Sequence, residues 1–176
     1  MMYALVYIAA TLAANYTATW FIHFPVFGQV SVATFIFGIT FTMRDRVHHT
    51  LGKRNVYIMI GSAAVLNLVV TILGAVPWRI IVASFTAIIL AETADTEIYH
   101  KHLEDTWAMR VLKSNSVSIP TDSLLFNTIA FAGVYSTSVV LSIIFGEIVF
   151  KGLVSGIAAI RPIRFLQRYT NRKFVS

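Results

Sequence analysis

Apolar residues run along this chain in blocks long enough to cross a bilayer, separated by short polar turns. A spanning helix needs about 20 mostly apolar residues. On that measure the pattern predicts helices over residues 2–22, 27–43, 56–76, 78–99, 121–137 and 139–166. His23-Phe24-Pro25 marks the first break, and Pro77 closes the third block. The join between the last two blocks stays open, because residues 124–145 carry no charge. One long tilted helix there would give five spans. The reading is an all-α membrane protein: a single domain over residues 1–176, built as a compact bundle of six transmembrane helices.

Composition agrees. The chain has 176 residues, 57% hydrophobic and 12% charged, where a soluble domain carries about 25% charge. It has no cysteine, so no disulfide framework is available. The net charge of +6 does not imply a nucleic-acid partner, because the basic residues fall in predicted loops. Arg44, Arg46, Lys53 and Arg54 lie in one; Lys101, Arg110 and Lys113 lie in another; Arg164, Arg168, Arg172 and Lys173 lie in the tail. Six spans with both termini cytoplasmic put every basic cluster inside, and five spans would put the tail outside. The uncharged start, Met1-Met-Tyr-Ala-Leu, is read as a retained helix rather than a cleaved signal.

Acids then sit where lipid should be. Glu92 and Asp95 fall in the fourth block, and Asp122 at the start of the fifth. An ionisable group at mid-bilayer costs about 2.5–3.5 kcal/mol on insertion scales, so such groups face a protein interior or a wet cavity and mark function by default. Ser84, Ile88, Glu92, Asp95 and Tyr99 are three or four apart and share one helix face. Ala83, Ala87, Ala91 and Ala94 form a small-residue edge beside it, which favours close helix packing. The bland alternative is a structural ion pair with Arg79, Arg110 or Lys151. Asp122 fits equally well as a helix cap after Pro120, and Ser114, Asn115, Ser116 and Ser118 fit a turn or a re-entrant loop. Glu147 and Lys151 are spaced for an internal bridge, yet Lys151 is also the natural counter-ion for Glu92 or Asp95. Gly152-Leu-Val-Ser-Gly156 predicts a close helix contact. His48, His49, His100 and His102 have no metal-specific spacing, and no metal or cofactor is expected. No nucleophile, phosphate-loop or His-Glu-x-x-His motif is present, so an enzyme is not expected.

Several motifs together resemble the vitamin-uptake-transporter family. They are Ala83-Ser84 with Glu92-Thr-Ala-Asp95-Thr-Glu-Ile-Tyr99, then Trp107, Arg110, Ser114-Asn115, Ser118-Ile-Pro-Thr-Asp122-Ser123, Phe126 and Ala130-Phe131, then Lys151. The segment Arg44-Asp45-Arg46-Val47, with Leu51-Gly52-Lys53-Arg54, resembles that family's basic loop after the second helix. The chain departs from the pattern at Arg44, where Thr is common, and at His49, where an acid is common. The resemblance implies a six-helix inner-membrane importer of a queuosine precursor, a 7-deazapurine base such as 7-cyano-7-deazaguanine. The alternative is a substrate-capturing membrane subunit, for another small vitamin-like or purine solute, that needs a separate energising module. The expected site residues are Glu92, Asp95, Trp107, Arg110, Ser114, Asn115, Asp122, Phe126, Asn127 and Lys151. The expected partners are the solute and the lipid bilayer, with homo-oligomerisation left open.

Overall fold

The computed structural model describes residues 2–25, 28–73 and 76–160, with side chains to residue 157. Helix α1 spans Met2–Thr17. A hairpin of β1 (Phe21–Phe24) and β2 (Gly28–Ser31) follows, then α2 (Val32–Leu51) and α3 (Lys53–Ile72). Next come α4 (Trp78–Ala87), a π turn (Ile88–Glu92) and α5 (Thr93–Lys101), which run on as one rod because the residues at both joins keep right-handed helical angles. Helices α6 (Trp107–Phe131) and α7 (Thr137–Ile160) complete the described chain.

Local chemistry sets the turns. Ser31 caps α2, since its Oγ accepts from the Ala33 N–H at 3.2 Å and donates to the Ala18 carbonyl at 2.9 Å. That tether holds the end of α1 against the start of α2. Helices α2 and α3 reverse direction over Gly52 alone, at φ +82, a left-handed angle that a Cβ would strain. Thr106 caps α6 through the Met109 N–H at 3.4 Å. Arg79 donates to the Ile129 carbonyl at 2.7 Å and also to the Ala132 carbonyl, which closes the far end of α6.

Polarity is inside out. Arg44, Asp45, Glu92, Asp95, Glu147 and Lys151 are buried, whereas Leu68, Ile72, Leu141, Leu153 and Ile157 are exposed. Water would favour the reverse; a hydrocarbon solvent favours this arrangement. Helix α3 and residues 137–157 of α7 are long and apolar enough to cross a membrane. One apolar core joins Ala14, Phe37, Ile80, Ala83, Phe126 and Ile143. A second joins Tyr7, Met43, Val47, Val56, Met59 and Ile88. The Ala83, Ala87 and Ala91 edge is buried, and α4 packs on α6.

Several expected boundaries are corrected. The first helix stops at Thr17, and the hairpin replaces what hydropathy alone reads as helix at residues 21–22 and 28–31, with residue 27 outside the described residues. Phe21 packs edge-on against Phe131 and Tyr135, and Phe24 packs at a tilt against Phe35 and Phe150, so these apolar residues seal one end of the bundle. The expected basic loop at residues 44–51 is helix, the last turns of α2. The fifth helix starts at Trp107 rather than residue 121, and carries Pro120 inside it. A turn at residues 132–136, with Gly133 at φ +77, separates α6 from α7, so the uncharged stretch is two helices and not one. Gly152 and Gly156 meet no neighbour within 4 Å of an added Cβ, so they are not the close contact. That contact is at Gly38, where a Cβ would stand 2.5 Å from Val154 Cγ1. The basic tail from Arg161 onward lies outside the described residues.

Candidate functional site

The acidic face of α4–α5 turns onto α2. Helix α2 is buried at every position from Thr40 to His48, so Arg44 lies wholly inside the bundle. Its guanidinium is the hub of a buried ion cluster. Nη1 donates to Glu92 Oε2 at 2.6 Å. Nε and Nη2 reach Asp45 Oδ1 at 3.3 and 3.1 Å, and Nη2 reaches Asn115 Oδ1 at 3.1 Å. Asp95 Oδ2 also stands 2.8 Å from Nη2. This third contact closes the ion pair between Arg44 and Asp95. Ser118 donates to Asp95 Oδ1 at 2.7 Å, with Ser114 in reach of the same carboxylate. Asn115 donates to the Ser155 hydroxyl, and the Tyr7 hydroxyl lies within bonding reach of Glu92.

A second ion cluster joins α6 to α7. Lys151 Nζ donates to Asp122 Oδ2 at 2.8 Å, to Glu147 Oε2 at 2.7 Å and to Ser123 Oγ at 3.3 Å. Asp122 is close enough to Glu92 for the two charges to interact, so the clusters adjoin. In them, two cations face five carboxylates. Among the described residues, Asp45 Oδ2 accepts no hydrogen bond, while Asp95 Oδ2 meets the Arg44 guanidinium as an ion pair. A buried charged acceptor without a donor is costly, so Asp45 Oδ2 is open to an arriving donor or proton. A cleft of about 300 Å³ lies between α6 and α7 and shares Asn115 with the Arg44 cluster. Asn115, Ser116, Pro120, Gly152 and Ser155 line it with apolar neighbours. That volume is at the small end for ligand pockets.

The expected site residues divide into four groups. Glu92, Asp95, Ser114 and Asn115 gather around Arg44, and Asp122 pairs with Lys151. Lys151 is therefore the counter-ion of Asp122 and Glu147, whereas Arg44 serves Glu92 and Asp95; neither Arg79 nor Arg110 does. Asp122 is mid-helix and caps nothing, and Ser114, Asn115 and Ser118 are helical rather than turn residues. Trp107 and Arg110 lie at the start of α6, among Arg46, His48 and Tyr99. Phe126 belongs to the apolar core, and Asn127 donates back to the Ser123 carbonyl at 2.8 Å within its own helix. Glu97, on α5, is half-exposed and bridges to Lys53 at 2.7 Å and Tyr57 at 2.6 Å.

Sequence reading missed Arg44, Asp45 and Glu147 as members of the site. The available signal was spacing: Phe37, Thr40, Arg44, Val47 and Leu51 recur at helical intervals across the supposed loop. Nothing in the sequence announces the π turn that sets Glu92, although such turns recur at functional sites.

Comparison with known proteins gives one finding. A family model described as "Putative vitamin uptake transporter" matches residues 71–163, just over half of the chain. The matched stretch contains Glu92, Asp95, Asn115, Asp122 and Lys151. No curated protein and no solved structure matches the chain.

Proposed function

The chain belongs to the vitamin uptake transporter family, and from that premise we propose that it imports a queuosine precursor, a 7-deazapurine base such as 7-cyano-7-deazaguanine. In this reading it crosses the inner membrane six times, with both termini in the cytoplasm. The observation that carries it is the excess of buried carboxylate over cation among the described residues, with Asp45 Oδ2 accepting no hydrogen bond. A deazaguanine offers a ring N–H beside an exocyclic amine, and a carboxylate accepts that pair side by side. Asn115 ties the α6–α7 cleft to Arg44, so solute in the cleft and charge in the cluster share one residue.

The same excess gives transport a driving element. Five carboxylates beside two cations, away from water, leave an excess of buried negative charge that is costly unless a cation or proton enters. In this reading that cation or proton enters together with the donor-rich base. A pocket whose acceptors are completed only by such an edge rejects bases that lack it, because its own buried groups would be stranded.

The test is queuosine content of tRNA in a salvage-dependent strain. At normal expression, Glu92→Gln and Asp122→Asn each lower uptake by at least tenfold. Wild-type queuosine with both variants removes the carboxylates from the mechanism.

A further inference from the structure

The strongest unexplained polar groups outside the carboxylate clusters sit at the end of the bundle that carries Lys53. There the last turns of α2 and α5 meet the first turn of α6. Arg46 lies over the Trp107 ring, 4.5 Å from its centre, and Arg110 lies over Tyr99 at 5.4 Å. His48 stacks on His100 at 5.6 Å and on Tyr99 at 4.6 Å; Trp107 meets Tyr99 at 6.0 Å and His49 at 5.6 Å. These contacts make one continuous box of rings and guanidinium planes.

The box is short of acceptors. Arg46 Nη2, Trp107 Nε1, Arg110 Nε, the Tyr99 hydroxyl and His48 Nε2 are buried atoms with no hydrogen-bond partner among the described residues. The first three can only donate. Arg46 is 9% exposed, His48 6% and Tyr99 0%, so these donors are not simply bathed in water. Trp107 and Arg110 are half-buried, so the box lies near the surface, although their orphaned donor atoms are themselves covered.

Four acids near the box, Asp45, Asp95, Glu97 and Asp105, already face another cation, and Glu104 is exposed. Asp45 and Asp95, which face Tyr99 from within, are held by Arg44. Asp105, which faces Arg110 from the α5–α6 turn, is bonded to Lys113 at 2.8 Å. Glu97 is bonded to Lys53 and Tyr57. The charges felt at His48 are those of His100, Arg44, Lys53 and Arg110, all basic. Arg46 and Arg110 have no ion pair among the described residues. Trp107 and Arg110 also occupy the first turn of α6, where the helix dipole favours negative charge.

We propose that this box binds a phosphate-class anion, with Arg46, Trp107 and Arg110 as its donors. A tetrahedral oxyanion can accept from several donors at once, and guanidinium groups suit phosphate geometry. The same chemistry is offered by soluble phosphate and by an anionic lipid headgroup at the membrane surface. The proposal is independent of the transported solute.

The experiment is a thermal-unfolding titration of the purified full-length chain. In detergent, sodium phosphate is compared with sodium chloride at matched ionic strength. In nanodiscs, phosphatidylglycerol is compared with phosphatidylcholine. A soluble ligand gives saturable stabilisation by phosphate in detergent; a headgroup gives it only with phosphatidylglycerol. Either response should weaken about tenfold in Trp107→Phe, which keeps the ring and removes the N–H, and in Arg110→Gln. A charge-assisted bond of about 1.5 kcal/mol corresponds to that factor. Trp107→Phe remains informative if Arg110→Gln fails to fold. No saturable response in either arm, an equal response to chloride, or an unchanged response in Trp107→Phe overturns the proposal and leaves only water in the box.

Discussion

Arg44 shows how one residue reorganises a reading. In sequence it opens Arg-Asp-Arg, which looks like the end of a helix and the start of a cytoplasmic loop. In the structure it is buried and engages three carboxylates. Desolvating a guanidinium is expensive, and only such a concentration of opposite charge offsets it. Removing the hub is therefore worse than removing one spoke. Arg44→Gln is expected to lower stability by about 3–5 kcal/mol, since it strands buried acids without a counter-ion. Glu92→Gln should cost less, because it leaves two carboxylates on Arg44 and reduces the excess negative charge. The midpoints of thermal unfolding in detergent decide the order; equal midpoints for wild type and Arg44→Gln would contradict it. The acids Glu92, Asp95 and Asp122 were legible because charge in an apolar block is conspicuous. Their cation was not, because a charge at the edge of an apolar block looks like topology.

At the level of elements, glycine contacts tell tight packing from open space. Gly38 on α2 lies under Val154 of α7, a β-branched side chain with little rotamer freedom. Gly38→Ala should push the helices apart and destabilise by about 1–3 kcal/mol. Gly152→Ala, in open space beside the cleft, should be neutral or gain up to about 1 kcal/mol from helix propensity. Chemical denaturation in mild detergent separates the two; a larger loss at Gly152 would overturn this packing. The Gly-xxx-Gly spacing signalled a contact, but spacing alone does not say which of two glycine-bearing faces meets a partner. Pro120 misled in the opposite direction. A proline inside a helix usually breaks it, yet membrane helices tolerate one where neighbours satisfy the freed groups, and α6 runs through it. The α5–α6 turn carries a pH signature. The bond from Lys113 holds the Asp105 carboxyl below the usual range. A lowered acid contributes stability that is present above its unfolded-state pKa of about 3.9 and lost as pH falls through the folded value. The Asp105→Asn chain should thus melt below wild type between pH 5 and 8, and the gap should close as pH drops below about 4. A gap that persists in acid would contradict the assignment.

For the whole molecule, hydropathy made the helical class legible, and the placement of polar groups inside and apolar groups outside agrees with lipid as solvent. The hairpin was not legible, since Phe21, Ile22 and Phe24 are as apolar as a helix end. The six-span topology has a direct check, because the chain has no cysteine of its own. Leu103→Cys, in the α5–α6 turn, should resist a membrane-impermeant thiol reagent in intact cells. Val134→Cys, in the exposed α6–α7 turn, should react. Labelling of both, or of Leu103→Cys alone, would reverse or abolish the proposed orientation. The account as a whole rests on a carboxylate centre that receives a donor-rich base. The most direct measurement is uptake of radiolabelled 7-cyano-7-deazaguanine by purified protein in liposomes, with wild type beside Asp95→Asn. The account predicts saturable uptake by wild type without any partner protein, accelerated by an inward proton gradient, and at least tenfold slower in Asp95→Asn at unchanged folding. Uptake that ignores the gradient and proceeds equally well in Asp95→Asn would contradict it.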